Sequence, residues 1–141
     1  AFARRLGLGW ESSAIESIGA VPYGWLAEAT DRGVFRLGDQ AAVIPSLAGE
    51  GIAIALASGI LAARVWLEHG PEGAQRFQHL FAKAVAAPMR AAGLARAMAE
   101  SRLGVQAGLV VAGRLPQALR LLIEATRIAP EAQLAQAAAA P

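Results

Sequence analysis

The chain contains no cysteine and only two histidines among its 141 residues. Disulfide bonds and thiolate-ligated metal sites are therefore excluded. His69 and His79 alone cannot build a histidine-rich metal centre, so we predict no metal site. The net charge of +2 is too small by itself to indicate nucleic-acid binding, and we predict no nucleic-acid partner.

Three further patterns are missing. Gly7-Leu8-Gly9 begins the dinucleotide fingerprint G-x-G-x-x-G, but Ser12 stands at the position of the third glycine, with no strand before it. None of the serines lies in a nucleophile-elbow context, so no catalytic triad can be assembled. The uncharged run between Glu50 and Arg64 is shorter than the roughly 20 residues that span a bilayer.

The most informative stretch that is present runs from Val34 to Ile52. A short apolar segment, predicted as a strand over 34–37, ends at an Asp, and a loop with a proline and two glycines leads into a helix. Glycines let the main chain approach a ligand closely, and a helix N-terminus offers unpaired N–H groups and partial positive charge. The pattern predicts a site for a ligand with hydroxyls and a polar, electron-accepting end.

Most of the remaining chain has helical periodicity. The helix predicted over 51–69 carries one apolar stripe, and Gly70-Pro71 ends it. A second helix is predicted over 71–87, where Pro88 should kink or break it, followed by an interrupted helical segment over 89–113 and a last helix from Pro116. The stripe of the first helix consists of Ile52, Leu56, Ile60, Ala63 and Leu67, and the buried side of the second of Phe77, Leu80, Phe81, Ala84 and Val85.

The loop and helix start resemble the second FAD-binding motif of the flavoprotein monooxygenase and geranylgeranyl reductase superfamily, which reads roughly GDAA…P…G-x-G…A. The resemblance covers about twenty residues, and Gln40 replaces an alanine found in many relatives. It implies that Asp39 holds the ribityl or pyrophosphate part of FAD, that Pro45 lies near the flavin ring, and that N–H groups around Gly51 face the pyrimidine edge. The implied cofactor-binding residues are Gly38, Asp39, Pro45, Gly49, Gly51 and Ile52.

In fold terms the resemblance implies an α/β fragment that is mostly α, forming the edge of a Rossmann-like FAD-binding domain followed by a C-terminal helical region. Residues 1–16 would form the end of a helix that begins in a missing preceding region. Residues 17–69, which include an extended candidate at 17–24, would complete the FAD-binding domain. Residues 70–129 would form the helical region, and 130–141 a flexible tail. Only two candidate strands are visible, which favours a fragment whose partner is the missing N-terminal part of its own chain.

The resemblance implies an FAD-dependent oxidoreductase that hydroxylates or reduces an organic, apolar substrate of isoprenoid or polyketide type, with NAD(P)H as co-substrate. We expect a cytoplasmic protein that can make peripheral contact with a membrane and that is inactive without its missing part. Two alternatives stay open: a non-catalytic helical interaction module, and a membrane-surface module. The second rests on Arg76, Lys83 and Arg90, which are seven residues apart on a helix with an apolar side.

Overall fold

The computed structural model describes residues 20–128, and this part of the chain is mostly α-helical. Its helices are α1 (Gly51–His69), α2 (Ala74–Glu100), α3 (Arg102–Arg114) and α4 (Pro116–Thr126). Short 3₁₀ turns occur at Gly38–Gln40, Ser46–Ala48 and Gly70–Gly73. The predictions for residues 1–16 and 130–141, and the first three residues of the extended candidate at 17–24, lie outside the described residues.

The helix predicted over 51–69 is confirmed with the same bounds, and its C-terminal residue is followed by Gly70, as expected. The second predicted helix also forms, but it begins at Ala74, after a 3₁₀ turn, and not at residue 71. The expected break at Pro88 is wrong because α2 continues to Glu100. Proline in a helix interior costs about 3 kcal/mol. Val85, Met89 and Ala92 on either side of Pro88 are buried in the core, and this packing offsets the cost.

The interruption predicted within 89–113 occurs at Ser101, where the backbone is extended between α2 and α3. The Ser101 hydroxyl accepts a hydrogen bond from the Gly104 N–H at 2.9 Å and thereby caps α3. Gly104 is confined to glycine, because a Cβ there would lie 2.2 Å from the Met98 carbonyl oxygen. The last helix begins at Pro116, as predicted.

The predicted strands do not form within residues 20–128. The only β pairing there is an antiparallel bridge between Leu26 and Ala42, supported by backbone hydrogen bonds of residues 24–27 with 41–43. Leu37 is extended, but residues 34–37 have no ladder partner in the described structure. A short strand requires neighbours, and without one this segment instead directs Phe35 into the core, 5.4 Å from the Phe77 ring.

The core lies between α1, α2 and the segment that precedes α1. Phe77 and Phe81 stack at 5.9 Å and are fully buried, which confirms the predicted inner side of α2. Leu80 and Ala84 are half-buried beside them. On α1 the buried side chains are not those of the predicted stripe; they are Ile54, Ala57, Ser58, Leu61, Ala62 and Val65.

The predicted α1 stripe faces away from the core. Ile52 is 76% exposed and Leu67 is 85% exposed, and Leu56, Ile60 and Ala63 between them are also exposed. α1 is apolar on two sides, and α2 covers only one of them within the described structure. An uncovered apolar stripe of this length is a common mark of an interaction surface.

Candidate functional site

The turn at Gly38–Gln40 is fixed against α1 by one buried hydroxyl. The Gly38 N–H donates to Ser58 Oγ at 2.9 Å, and Ser58 Oγ donates to the Ala55 carbonyl at 3.0 Å. Gly38 has a φ of +52°, and a Cβ there would lie 3.7 Å from Ala55 Cβ. The fold itself therefore explains the residue types at these two positions. A positive φ favours glycine at position 38, and the small side chain of Ala55 permits the close contact.

Asp39 projects from this turn on the exposed surface. Within residues 20–128 its carboxylate makes no hydrogen bond and no ion pair. The turn is closed by its own backbone, through bonds from the Gln40 N–H to the Leu37 carbonyl at 3.0 Å and from the Ala41 N–H to the Gly38 carbonyl at 2.9 Å. The fold positions Asp39 without using its side chain, and both carboxylate oxygens remain available to a ligand.

The second part of the loop turns the chain into α1. Pro45 is buried and precedes the Ser46–Ala48 turn, which it closes by accepting the Ala48 N–H at 2.9 Å. Gly49 then adopts a left-handed conformation, with φ 70° and ψ 9°. This conformation explains the glycine at position 49 by backbone geometry alone.

The N-terminus of α1 has no side-chain cap. Glu50 occupies the N-cap position of α1. Its carboxylate accepts the Ile128 N–H at 3.3 Å, so it does not bond to its own helix. The N–H groups of Gly51, Ile52 and Ala53 consequently have no acceptor within the described residues. Such groups bind electron-rich or anionic atoms.

Tyr23 and Trp25 both attach the preceding segment to this loop. The Tyr23 hydroxyl lies 2.6 Å from Ser46 Oγ, and the Arg96 guanidinium lies over the Tyr23 ring at 4.8 Å from its centroid. Trp25 Nε1 donates to the Gln40 carbonyl at 3.4 Å. The Arg96 side chain also pairs with Glu100 through Nε at 2.6 Å. These contacts set the loop against α2.

An apolar cavity of about 260 Å³ lies on the other side of the Ser46–Ala48 turn, between that turn, α2 and α4. It contains no charged side chain. Its lining consists of Leu47, Ala48, Ala92, Ala95, Leu119, Leu122, Ile123 and Thr126. On α2 the lining residues are the alanines Ala92 and Ala95. Because their side chains are small, the larger side chains of α4 opposite them do not fill the space between the two helices. The cavity suits an uncharged hydrocarbon group.

The predicted site residues thus fall into two groups. Gly38, Pro45 and Gly49 have roles that the fold itself explains, whereas Asp39 and the N-terminus of α1 present groups that the fold leaves unused. No cluster of three metal-ligating side chains occurs in the described part of the chain. Sequence reasoning missed Ser58, for which the only signal is a polar residue on the inner side of an apolar helix.

Comparison of the chain with protein-family models, with curated proteins and with solved structures gives no match.

Proposed function

We propose that the chain is the C-terminal part of an FAD-dependent oxidoreductase and that residues 38–52 form one side of its cofactor site. The observation that carries the proposal is the pairing of an unpartnered carboxylate at Asp39 with an uncapped α1 N-terminus, joined by a loop whose glycines fit the flavoprotein motif. The residues fit the cofactor chemically. A carboxylate accepts hydrogen bonds from ribityl hydroxyls, and helix N–H groups donate to the carbonyl-rich edge of the flavin.

Each residue has a separate task in this proposal. Asp39 would hold the polar chain of the cofactor, Pro45 would shape the loop near the ring, and the N–H groups of Gly51 and Ile52 would donate to the pyrimidine edge and favour negative charge there. The bound flavin supplies the electron-transfer chemistry. NAD(P)H is the proposed co-substrate, and the reaction is hydroxylation or reduction of an organic molecule in the cytoplasm.

Two features support a larger α/β domain around this part of the chain. Residues 34–37 have no strand partner in the described structure, and the Nε atom of Arg36 is buried there without an acceptor. The apolar stripe of α1 is also exposed. Additional strands would pair with the extended segment and cover the stripe. Small residues such as Gly59 and Ala63 make α1 slim enough for such close packing.

The cavity near the loop supports an apolar substrate. Leu47 and Ala48 line it and belong to the same turn that follows Pro45. An uncharged aliphatic group held there would lie next to the proposed cofactor loop. A substrate of isoprenoid or polyketide type has this chemistry.

The test is the visible flavin spectrum of the full-length parent protein after gentle purification, in wild-type form and as Asp39→Ala. We expect the wild type to retain flavin and D39A to lose most of it, because the variant lacks the hydroxyl-binding carboxylate. Asp31→Ala is the matched control, since Asp31 is another exposed acid on a loop. A parent that is colourless and ignores added FAD, or D39A with undiminished flavin, would refute the proposal.

A further inference from the structure

The α3–α4 hairpin (residues 102–127) exposes an unusual amount of apolar side chain. α3 buries none of its residues. Leu103 is 81% exposed and Leu109 is 70% exposed. The large apolar side chains exposed on the hairpin are Leu103, Val105, Leu109, Val110, Val111, Leu115, Leu119, Leu121 and Ile123.

The larger side chains of α3 lie on the molecular surface. Only Gly104 and Gly108 on this helix are half-buried, and every larger residue is exposed. Residues 103–113 contain no charge, and their apolar side chains point to nearly all sides of the helix. A helix that is apolar all round is buried in a protein or in lipid. In the described structure α3 lies on the surface.

The hairpin is also basic. Residues 102–127 contain four arginines and one glutamate, so 4 − 1 gives a net charge of +3. Arg102 and Arg114 stand at the two ends of α3, and Arg120 and Arg127 lie on and after α4. None of these four arginines has an ion pair within residues 20–128. Arginine can lay its aliphatic stem along an apolar surface and keep its charge at the water boundary.

We propose that the α3–α4 hairpin docks onto the surface of an anionic phospholipid bilayer. Leu103, Leu109 and Val110 enter the boundary between headgroups and acyl chains, and the flanking arginines bind lipid phosphates and carboxylates. The unpaired positive charges select an anionic surface as the occupant of this apolar face. The proposal is independent of the flavin site.

The proposed surface differs from the one that Arg76, Lys83 and Arg90 suggest from the sequence. Arg76, Lys83 and Arg90 are exposed on α2, but the apolar side of α2 is in the core and cannot enter a membrane. They form a solvated face.

The helical stretch Gly51–Glu100 contains an 18-residue window that is long and apolar enough to cross a bilayer, although the uncharged run between Glu50 and Arg64 alone is too short. One third of that window is buried in the fold.

The test is flotation of the 141-residue chain with phosphatidylcholine vesicles, with and without phosphatidylserine. We expect binding only to vesicles that contain phosphatidylserine, and loss of most binding when salt rises from about 0.1 to about 1 M, where the Debye length falls from about 10 to about 3 Å. The variant R114Q/R120Q should bind roughly 25-fold more weakly, at about fivefold for each arginine. L103D/L109D should abolish flotation.

Matched controls separate the hairpin from the rest of the surface. Leu67→Asp changes an equally exposed leucine on α1, and K83Q/R90Q removes two exposed positive charges from α2. Both controls should float like wild type. In case L103D/L109D misfolds, Leu109→Trp should show fluorescence quenching by brominated lipids. Absence of flotation, equal loss in the controls, or a dimer that L103D/L109D dissociates without any lipid binding would overturn the proposal.

Discussion

The carboxylate of Glu50 accepts a hydrogen bond from the backbone N–H of Ile128, at 3.3 Å and across 78 positions of sequence. The bond joins the residue before α1 to the chain just after α4, where Ile128 is buried in the core. It also explains why the first turn of α1 lacks a side-chain cap, because the acidic group closest to it bonds elsewhere.

Replacing Glu50 by Ala should release the end of α4. The Ile128 N–H would lose its acceptor, and we expect a loss of about 1 kcal/mol in unfolding free energy together with faster amide exchange at Ile128. Glu50→Gln keeps an acceptor oxygen and should retain most of the protection. Unchanged exchange at Ile128 in E50A would show that the bond contributes nothing.

Replacing Ser58 by Ala should loosen the Gly38–Gln40 turn. The variant leaves the Gly38 N–H without its acceptor, which costs about 1–3 kcal/mol when the group is shielded from water. Ser46→Ala removes an exposed hydroxyl that bonds Tyr23 and should cost less. Urea unfolding measures both, and equal losses in the two variants would contradict the central role of Ser58.

Two glycines of α3 should respond in opposite directions to alanine. A Cβ at Gly104 would lie 2.2 Å from the Met98 carbonyl oxygen, so G104A must disturb the α2–α3 junction and destabilise the protein. At Gly108 a Cβ meets nothing within 4 Å, and G108A should stabilise the helix by up to about 1 kcal/mol. Thermal or urea unfolding gives the sign directly. If G104A stabilised the protein, the close approach of Gly104 to the Met98 carbonyl would be contradicted.

Substitutions on the buried side of α2 should cost much more unfolding free energy than substitutions on the exposed stripe of α1. Phe81→Ala removes a fully buried ring and should cost about 3–5 kcal/mol. Leu67→Ala changes a side chain that is mostly in water and should stay within about 0.5 kcal/mol. Denaturant unfolding of the 141-residue chain measures both. A large loss in L67A would show that its stripe is covered in solution.

Local patterns predicted the helices well. The bounds of α1 follow from a helical period closed by Gly70-Pro71, and the start of α4 follows from Pro116. Pro88 shows the limit of such reasoning, because its local cost is offset by contacts of α2 that no window of sequence contains. The absent strand at 34–37 has the same origin, since a strand is defined by its neighbours.

Periodicity also could not show which side of α1 faces the core. The Ile52–Leu67 stripe and the Ile54–Val65 side are both apolar, and only the position of α2 distinguishes them. In the candidate site, the loop glycines are those that the family resemblance implies, and their role in cofactor binding stays a prediction. Ser58 and the Glu50–Ile128 bond were not predicted, because each joins residues that are distant in sequence.

The bond from Gly38 to Ser58 makes the position of the loop depend on helix register. A helix advances 1.5 Å and turns about 100° per residue. A single insertion or deletion between Gly51 and Ser58 would therefore rotate the hydroxyl away from the turn while leaving the loop sequence intact. The eight residues from 51 to 58 are a fixed-length spacer, and tolerance of length changes should begin only beyond it.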